Sequence, residues 1–320
     1  MTDFSFEFVF ASGEKHSPKE EPNEWILRSD ADTVADSLTV RFSVGKRLFT
    51  EEPVGAVLKK DGAVIFDGIV DEHRVKCRNG ARTEVFSLRS RAALLLDNEA
   101  APMELRLPSL RLLERMYLMP LGLHAVGGDR RPVEGILTVE KGVSCFEALQ
   151  TFSERYLNCT PYTDKSGGVH FESYVPKTVK PDWVTAREVI FCPYKMLSGV
   201  TVQNAQTGAY SAEYHDPLAP QVRVRYLSAY AKTAPTALLN ESRRAAKRLK
   251  LTCASYIDGN MGDTMRTEEL GEVRLIAKNV LLRGKDVKTE LHFEPVYTES
   301  WVLVTPPDHP LAQLRRPVAL

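Results

Sequence analysis

Apolar and polar positions alternate through much of the first hundred residues. Phe4, Phe6, Phe8 and Phe10 recur at every second place, so a strand over 4–10 would carry one apolar face and one polar or small face. The same period of two predicts strands over 38–44, 54–59, 63–72, 73–78 and 83–89. Val75 and Cys77 lead into Asn79-Gly80, and Phe86 and Leu88 lead out of it. Asn-Gly is the strongest short hairpin signal, because both residues tolerate the positive φ of a type I′ turn. Lys60-Asp61-Gly62 marks another turn, and the polar stretch 13–23, with Pro18 and Pro22, reads as an exposed loop. After Ser90 the period changes, and residues 92–96 suit a short helix under the sheet.

Beyond residue 100 the pattern mixes helix and strand. Pro102 and Pro108 bracket an extended piece. Ser109 can cap a helix in which Leu112, Leu113, Met116 and Tyr117 recur at helical spacing until Pro120 ends it. A short strand is expected at 135–139. Ser144 and Glu147 then form a capping box for a helix whose apolar face is Phe146, Leu149, Phe152 and Tyr156. The segment TPYTDKSGGVHFES reads as strand, turn and strand. Strand character returns in VIFCPY, GVTVQN and QVRVRYLS, and residues 234–250 form a helix candidate with Leu238, Leu239, Ser242, Ala245, Ala246 and Leu249 on one face. Strands at 271–283 and 286–297 flank the turn Arg283-Gly284-Lys285, and the proline-rich tail 305–320 reads as extended.

Charge does not single out a partner. Lys plus Arg and Asp plus Glu number 42 each, so nothing global draws the chain to nucleic acid or anionic lipid. With 320 residues, 43% hydrophobic, the chain can build two or three domains with real cores. Its five cysteines (Cys77, Cys145, Cys159, Cys192 and Cys253) are widely spaced and never form CxxC, which argues against a disulfide framework or a zinc site and for buried, reduced thiols. The N-terminus lacks a basic leader, and no apolar run approaches the roughly 18 residues that span a bilayer. A chain made and folded in the cytoplasm without an anchor is expected.

The usual catalytic constellations are missing from the sequence: there is no HExxH, GxSxG, Walker loop or dinucleotide fingerprint. Ser12-Gly13-Glu14-Lys15 matches SxxK by itself, inside an expected loop, and Gly45-Lys46 reads as the end of a strand. Asp71 and His73 would share a strand face, with Glu72 turned away, and a histidine beside an acid reads as a surface hydrogen bond. His215-Asp216 precedes Pro217 in an expected turn. Asn158-Cys159-Thr160 is a glycosylation sequon without the leader that would bring it to that machinery. Arg243, Arg244, Lys247 and Lys250 read as the solvated face of the helix at 234–250, with contact to passing DNA or an acidic neighbour as the competing possibility. No aromatic residues interleave with them to stack on single strands.

Two blocks together carry a family resemblance. In FDGIVDEHRVKCRNGARTEVFSLRSRAALLLDN, residues 66–98, the residues Gly68, Val70, Asp71, Arg89, Ser90, Arg91, Leu95 and Asp97 fall in an order that resembles the first domain of the phage tail baseplate hub family. That family includes the late control D proteins and the N-terminal modules of type VI secretion spikes. Gly142, Ser144, Phe146, Glu147 and Leu149, with Asp164 and Gly167 at a hairpin tip, resemble the insertion of the same family, and a more degenerate match reaches about residue 300.

The resemblance implies an α+β, mainly β protein with two antiparallel β-barrel-like, tail-tube-like domains and an inserted α/β domain. Its first barrel would be 1–99, with strands from 186–215 available to complete it. The insertion would be 100–185, the second barrel 186–304 with a helix at 236–250, and 305–320 a tail. It implies a homotrimeric ring that connects the tail tube to the central spike and adapts their symmetries. Baseplate wedge and tape-measure proteins would be further partners, and DNA only passing cargo. The place implied is a virion tail baseplate assembled in the host bacterial cytoplasm. Catalytic residues, cofactor and metal are all expected to be none. A carbohydrate- or receptor-binding tail-tip module stays open as an alternative, as does a tail-associated peptidoglycan hydrolase.

Overall fold

In the computed structural model, residues 3–231, 233–296 and 302–304 are described. In chain order the elements are β1 (Phe4–Val9), β2 (Lys15–His16), β3 (Glu24–Asp30), β4 (Ser37–Val44), β5 (Gly55–Lys60), β6 (Ala63–Arg78), β7 (Ala81–Ser90), α1 (Ala93–Asp97), β8 (Met103–Arg106), α2 (Leu110–Leu113), β9 (His124–Val126), β10 (Ile136–Val139), α3 (Cys145–Phe152), β11 (Tyr162–Thr163) and β12 (Gly168–His170). They continue with β13 (Val184–Phe191), β14 (Gly199–Gln203), β15 (Tyr210–His215), β16 (Val224–Leu227), α4 (Pro235–Ala246), β17 (Lys247–Cys253), β18 (Thr264–Thr267), β19 (Gly271–Arg283), β20 (Asp286–Pro295) and β21 (Val302–Val304). The protein is mainly β, as expected, and its large sheets are antiparallel. Two compact units emerge: the first is 1–176 with 254–257 and 277–289, the second 177–253 with 258–276 and the chain from 290 onward.

The first unit holds an antiparallel sheet in the order β19, β3, β4, β7, β6, β5, β1, β2, with β19 entering through its residues 277–283. Alternation explains its interior. Phe6 and Phe8 of β1, Trp25 and Leu27 of β3, Leu38, Val40 and Phe42 of β4, and Phe86 and Leu88 of β7 all meet in one buried cluster. The sheet curls round this core: β1 and β3 lie five places apart in the strand order, yet the rings of Phe4 and Trp25 are 5.0 Å apart. Asn79 and Gly80 take φ of 51° and 80°, the two-residue turn that their types predict.

A second buried cluster in the same unit gathers Leu95 of α1, the helical run 110–121, the apolar face of α3, and residues of β9, β10 and β12. Ser109 accepts a hydrogen bond from the Leu112 amide, as expected of a cap. The helix it opens widens into a π turn over 114–118 and tightens to a 3₁₀ turn containing Pro120 before Gly122, at φ 72°, stops it. Small sheets β8–β10 and β11–β12–β9 complete this part.

In the second unit β13 pairs with β17, β18 with residues 271–274 of β19, and a separate sheet runs β16, β14, β15, β21. Leu249, Leu251 and Cys253 of β17 are buried, as are Leu239 and Ala246 of α4.

Several expectations need correction. The strands expected at 63–72 and 73–78 are one strand, β6, because the register slips by one residue between Val70 and Glu72 and the chain continues past the bulge. The helix expected over 234–250 stops at Ala246, where the apolar period drops to two at Leu249, Leu251 and Cys253 and β17 begins. β3 and β15 were not anticipated. All five cysteines are free, but Cys77 is exposed and Cys159 and Cys192 are half-buried. The tail 305–320 and the end of the strand expected to reach 297 lie outside the described residues.

Candidate functional site: the motif clusters and an open strand edge

The residues of the first motif form a polar clamp on the β6–β7 hairpin. Asp71, displaced at the bulge, receives Arg89 Nε at 2.7 Å and Nη2 at 3.0 Å. The same guanidinium holds Asp97, at the end of α1, at 2.7 and 3.0 Å. Its hydrogen bonds to Asp71 and then Asp97 raise the affinity of Arg89 for its proton, and they lower that of Asp97. Arg91 Nε reaches both oxygens of Asp67, at 3.0 and 3.1 Å. Ser90 exchanges bonds with Asp36, its Oγ accepting from the Asp36 amide at 3.1 Å and its own amide donating to the Asp36 carbonyl at 2.8 Å. Leu95 is buried in the second cluster, and Val70 packs on the first. Gly68 is required by close approach, for a Cβ there would stand 2.3 Å from the Arg89 carbonyl oxygen and 2.5 Å from the Phe66 ring.

The second motif caps α3 and closes the turn at 164–168. Gly142 takes φ 88°. Ser144 Oγ accepts from the Glu147 amide at 3.2 Å, and Glu147 Oε2 accepts from the Ser144 amide at 2.8 Å, a reciprocal capping box. Those bonds from Ser144 hold the Glu147 carboxyl below its ordinary range. Phe146 and Leu149 are buried. Asp164 accepts from Ser166 Oγ, the amides of Ser166 and Gly168, and His170 Nε2 at 2.9 Å, in the turn where Gly167 takes φ 85°. Burial alone would raise the Asp164 carboxyl, but these donors bring it down to about 2. His170 stacks on Tyr162 with ring centroids 4.5 Å apart.

The motif residues thus form two separate structural knots, and neither opens onto a group of convergent reactive side chains. A hollow of about 690 Å³ is bordered by Arg111, Asp129, Arg130, Arg131 and Pro132. Two of its arginines are already held, Arg130 by Glu114 at 2.8 Å and Arg131 by Asp129 at 2.5 Å. Among the described residues no three His, Cys, Asp or Glu are placed to hold a metal.

Two readings of the sequence fail here. His73 is not at the surface: its side chain is 11% exposed, stacked on Phe86 at 4.2 Å between the carboxylates of Glu52 and Glu84. The bulge at Asp71 breaks the alternation from which Asp71 and His73 were expected to share a face. Asp216 does open the expected turn, its carbonyl accepting from the Ala219 amide at 3.2 Å, but the solvated face expected of Arg243 fails through it. It is buried and bonded to buried Arg243, which removes Arg243 from the solvated face expected of it. Arg244 and Lys250 answer to Glu294 and Glu290, at 3.5 and 3.2 Å. Glu84 was missed altogether, though it had a signal: it stands two places before Phe86, on the core-facing set of β7.

The second unit exposes apolar side chains along an open strand edge. Among the described residues β13 pairs on one side only, with β17, and Val184, Val189 and Phe191 are exposed along it, next to Trp183 at 76% exposure. Tyr226 of β16 is also exposed, edge-on to Tyr210 of β15. Open edges of this kind accept further strands.

No family model and no curated protein matches the sequence. Solved structures do. The 43 kDa tail protein of prophage MuSo2 from Shewanella oneidensis aligns with a TM-score of 0.75 at 13% identity over 92% of this chain and 98% of that one. A tail protein from Neisseria meningitidis MC58 aligns at 0.66 and 17% identity, over 91% and 96%. An Escherichia coli component of the type VI secretion system, described as structurally similar to the T4 tail proteins gp27 and gp5, aligns at 0.52 and 9%, over 88% and 75%. The chain therefore shares its fold with prophage tail proteins and with a component of the type VI secretion system.

Proposed function

We propose that this chain is a structural baseplate hub subunit of a phage or phage-derived tail, forming a ring of three that connects the tail tube to the central spike. The observation that carries this is the likeness to prophage tail proteins over almost the full length of both chains, so that the shared fold is not confined to one module. The work of such a subunit is assembly and requires no chemistry of its own. The open β13 edge, with its exposed apolar residues, supports a role in which strands of the second unit are covered by a neighbour. In this scheme 1–99 and 186–304 act as the tube-like domains and 100–185 as the insertion, with tube, spike, wedge and tape-measure proteins as partners in a virion tail. Size-exclusion chromatography with light scattering, followed by negative-stain electron microscopy, tests it. Threefold rings with a central hole are expected, alone or with spike protein added. A strict monomer that binds neither tube nor spike protein overturns it.

A further inference from the structure

The loop 45–54, between β4 and β5, is fastened to the hairpin through one imidazole. Leu48 and Phe49 anchor its first half on the buried cluster of the first unit. In its second half lies Glu52, whose Oε2 is 2.6 Å from His73 Nδ1. The other ring nitrogen, Nε2, faces Oε2 of Glu84 at 3.2 Å. Glu84 is wholly buried, and its second oxygen takes Arg82 Nε at 2.7 Å and the Leu48 amide at 3.3 Å. Phe86 covers one face of the imidazole, with the rings within 8° of parallel. The charged groups around His73 are therefore Glu52 and Arg47 from the loop, which pair with each other, and Glu84 and Arg82 from β7. On β6 itself Glu72 and Arg74 pair together at 2.6 Å.

A neutral imidazole has one N–H and one lone pair, so it can donate to only one of two facing carboxylates. The geometry points to a protonation-operated latch: imidazolium His73 bridges Glu52 and Glu84 and closes the loop, and loss of its proton releases Glu52 while Nε2–H stays on Glu84. The choice of which contact breaks follows from burial. Glu84 is wholly buried, so water cannot replace the donor that its Oε2 would lose, and leaving that oxygen unmatched is costly. The Glu52 side chain is 60% exposed and can turn to solvent. This latch lies within the first unit and does not depend on the ring proposed above.

Nitrogen-15 NMR of the His73 side chain in the full chain, titrated from about pH 5 to about pH 9, tests it alongside amide protection factors for residues 45–54. Both ring nitrogens should be protonated at the acid end. The Nε2–H tautomer should appear at the alkaline end, with protection at 50–54 falling about tenfold or more, as when one charge-assisted hydrogen bond is lost. In E52A the same segment should show the low protection at both ends, while the tautomer is unchanged. Protection that stays constant through the titration, an Nδ1–H tautomer with the loop still closed, or E52A protection equal to the acid-end value of the parent would each overturn the latch.

Discussion

Arg243 is bonded to Asp216 through two contacts, Nε to Oδ2 at 3.0 Å and Nη2 to Oδ1 at 2.5 Å, with both side chains almost fully buried. The pair ties α4 to the residue that follows β15, inside the second unit. Asp216→Asn removes the carboxylate that takes two contacts from the buried Arg243 guanidinium and should cost about 3–5 kcal/mol, read by urea unfolding. Replacing both residues with apolar ones of similar volume should cost clearly less, since no dry charge is then left behind. Equal losses in the single and double variants would contradict a coupled pair.

Gly68→Ala should destabilise the β6–β7 hairpin by about 1–3 kcal/mol or more, because its methyl group meets the Arg89 backbone oxygen and the Phe66 ring at once. Gly80→Ala offers a contrast. Nothing lies within 4 Å of its Cβ, but φ 80° strains any side chain there, so its cost should come from the backbone and be smaller. Thermal melting of the two variants side by side makes the comparison.

The Asp164 turn should weaken in acid. Its carboxyl titrates at about 2 in the folded chain, below the 3.8 of an unperturbed aspartate. A depressed folded value means that the stabilisation is complete above about pH 4 and is lost as the pH falls toward 2. About a third of the side chain is exposed, so solvent screening limits the effect to about 1 kcal/mol. Asp164→Asn should flatten that part of the stability profile, measured as unfolding midpoint against pH between about 2 and about 6.

If the proposed ring forms through the β13 edge, lysines at Val189 and Phe191 should stop its assembly without unfolding the chain. Both positions are exposed on the open edge strand β13, where charge is tolerated in the single chain but opposes the addition of a neighbouring strand. Circular dichroism should match that of the parent while light scattering reports the monomer mass. Rings that persist in the double variant would move the contact surface elsewhere.

Ser144→Ala removes the hydroxyl that accepts the Glu147 amide and should lower stability by about 1 kcal/mol. Amide exchange should quicken first at 145–148, the opening turn of α3, and not across the whole of the second buried cluster.

Local rules were sufficient wherever one residue's own chemistry decides. Asn79-Gly80 takes the positive φ that its two residue types permit, Ser144 and Glu147 cap α3, and Phe4, Phe6 and Phe8 alternate along β1 as a strand must. The turns, caps and close approaches of the two motif blocks were legible for the same reason, since Gly68, Gly142, Ser144 and Asp164 each leave a local mark in sequence. Partners brought from far along the chain were not legible. Asp67 meets Arg91, Glu52 meets His73 and Asp216 meets Arg243 only once the strands have chosen their neighbours and register. One inserted residue at Asp71 shows why: it shifts the period of β6, turns His73 inward onto Phe86, and frees Asp71 for Arg89. Helix and strand also compete over residues 247–250, where a basic, leucine-bearing run fits either period. Burial of Leu249, Leu251 and Cys253 beside β13 decides for the strand, an energy that exists only in the packed sheet.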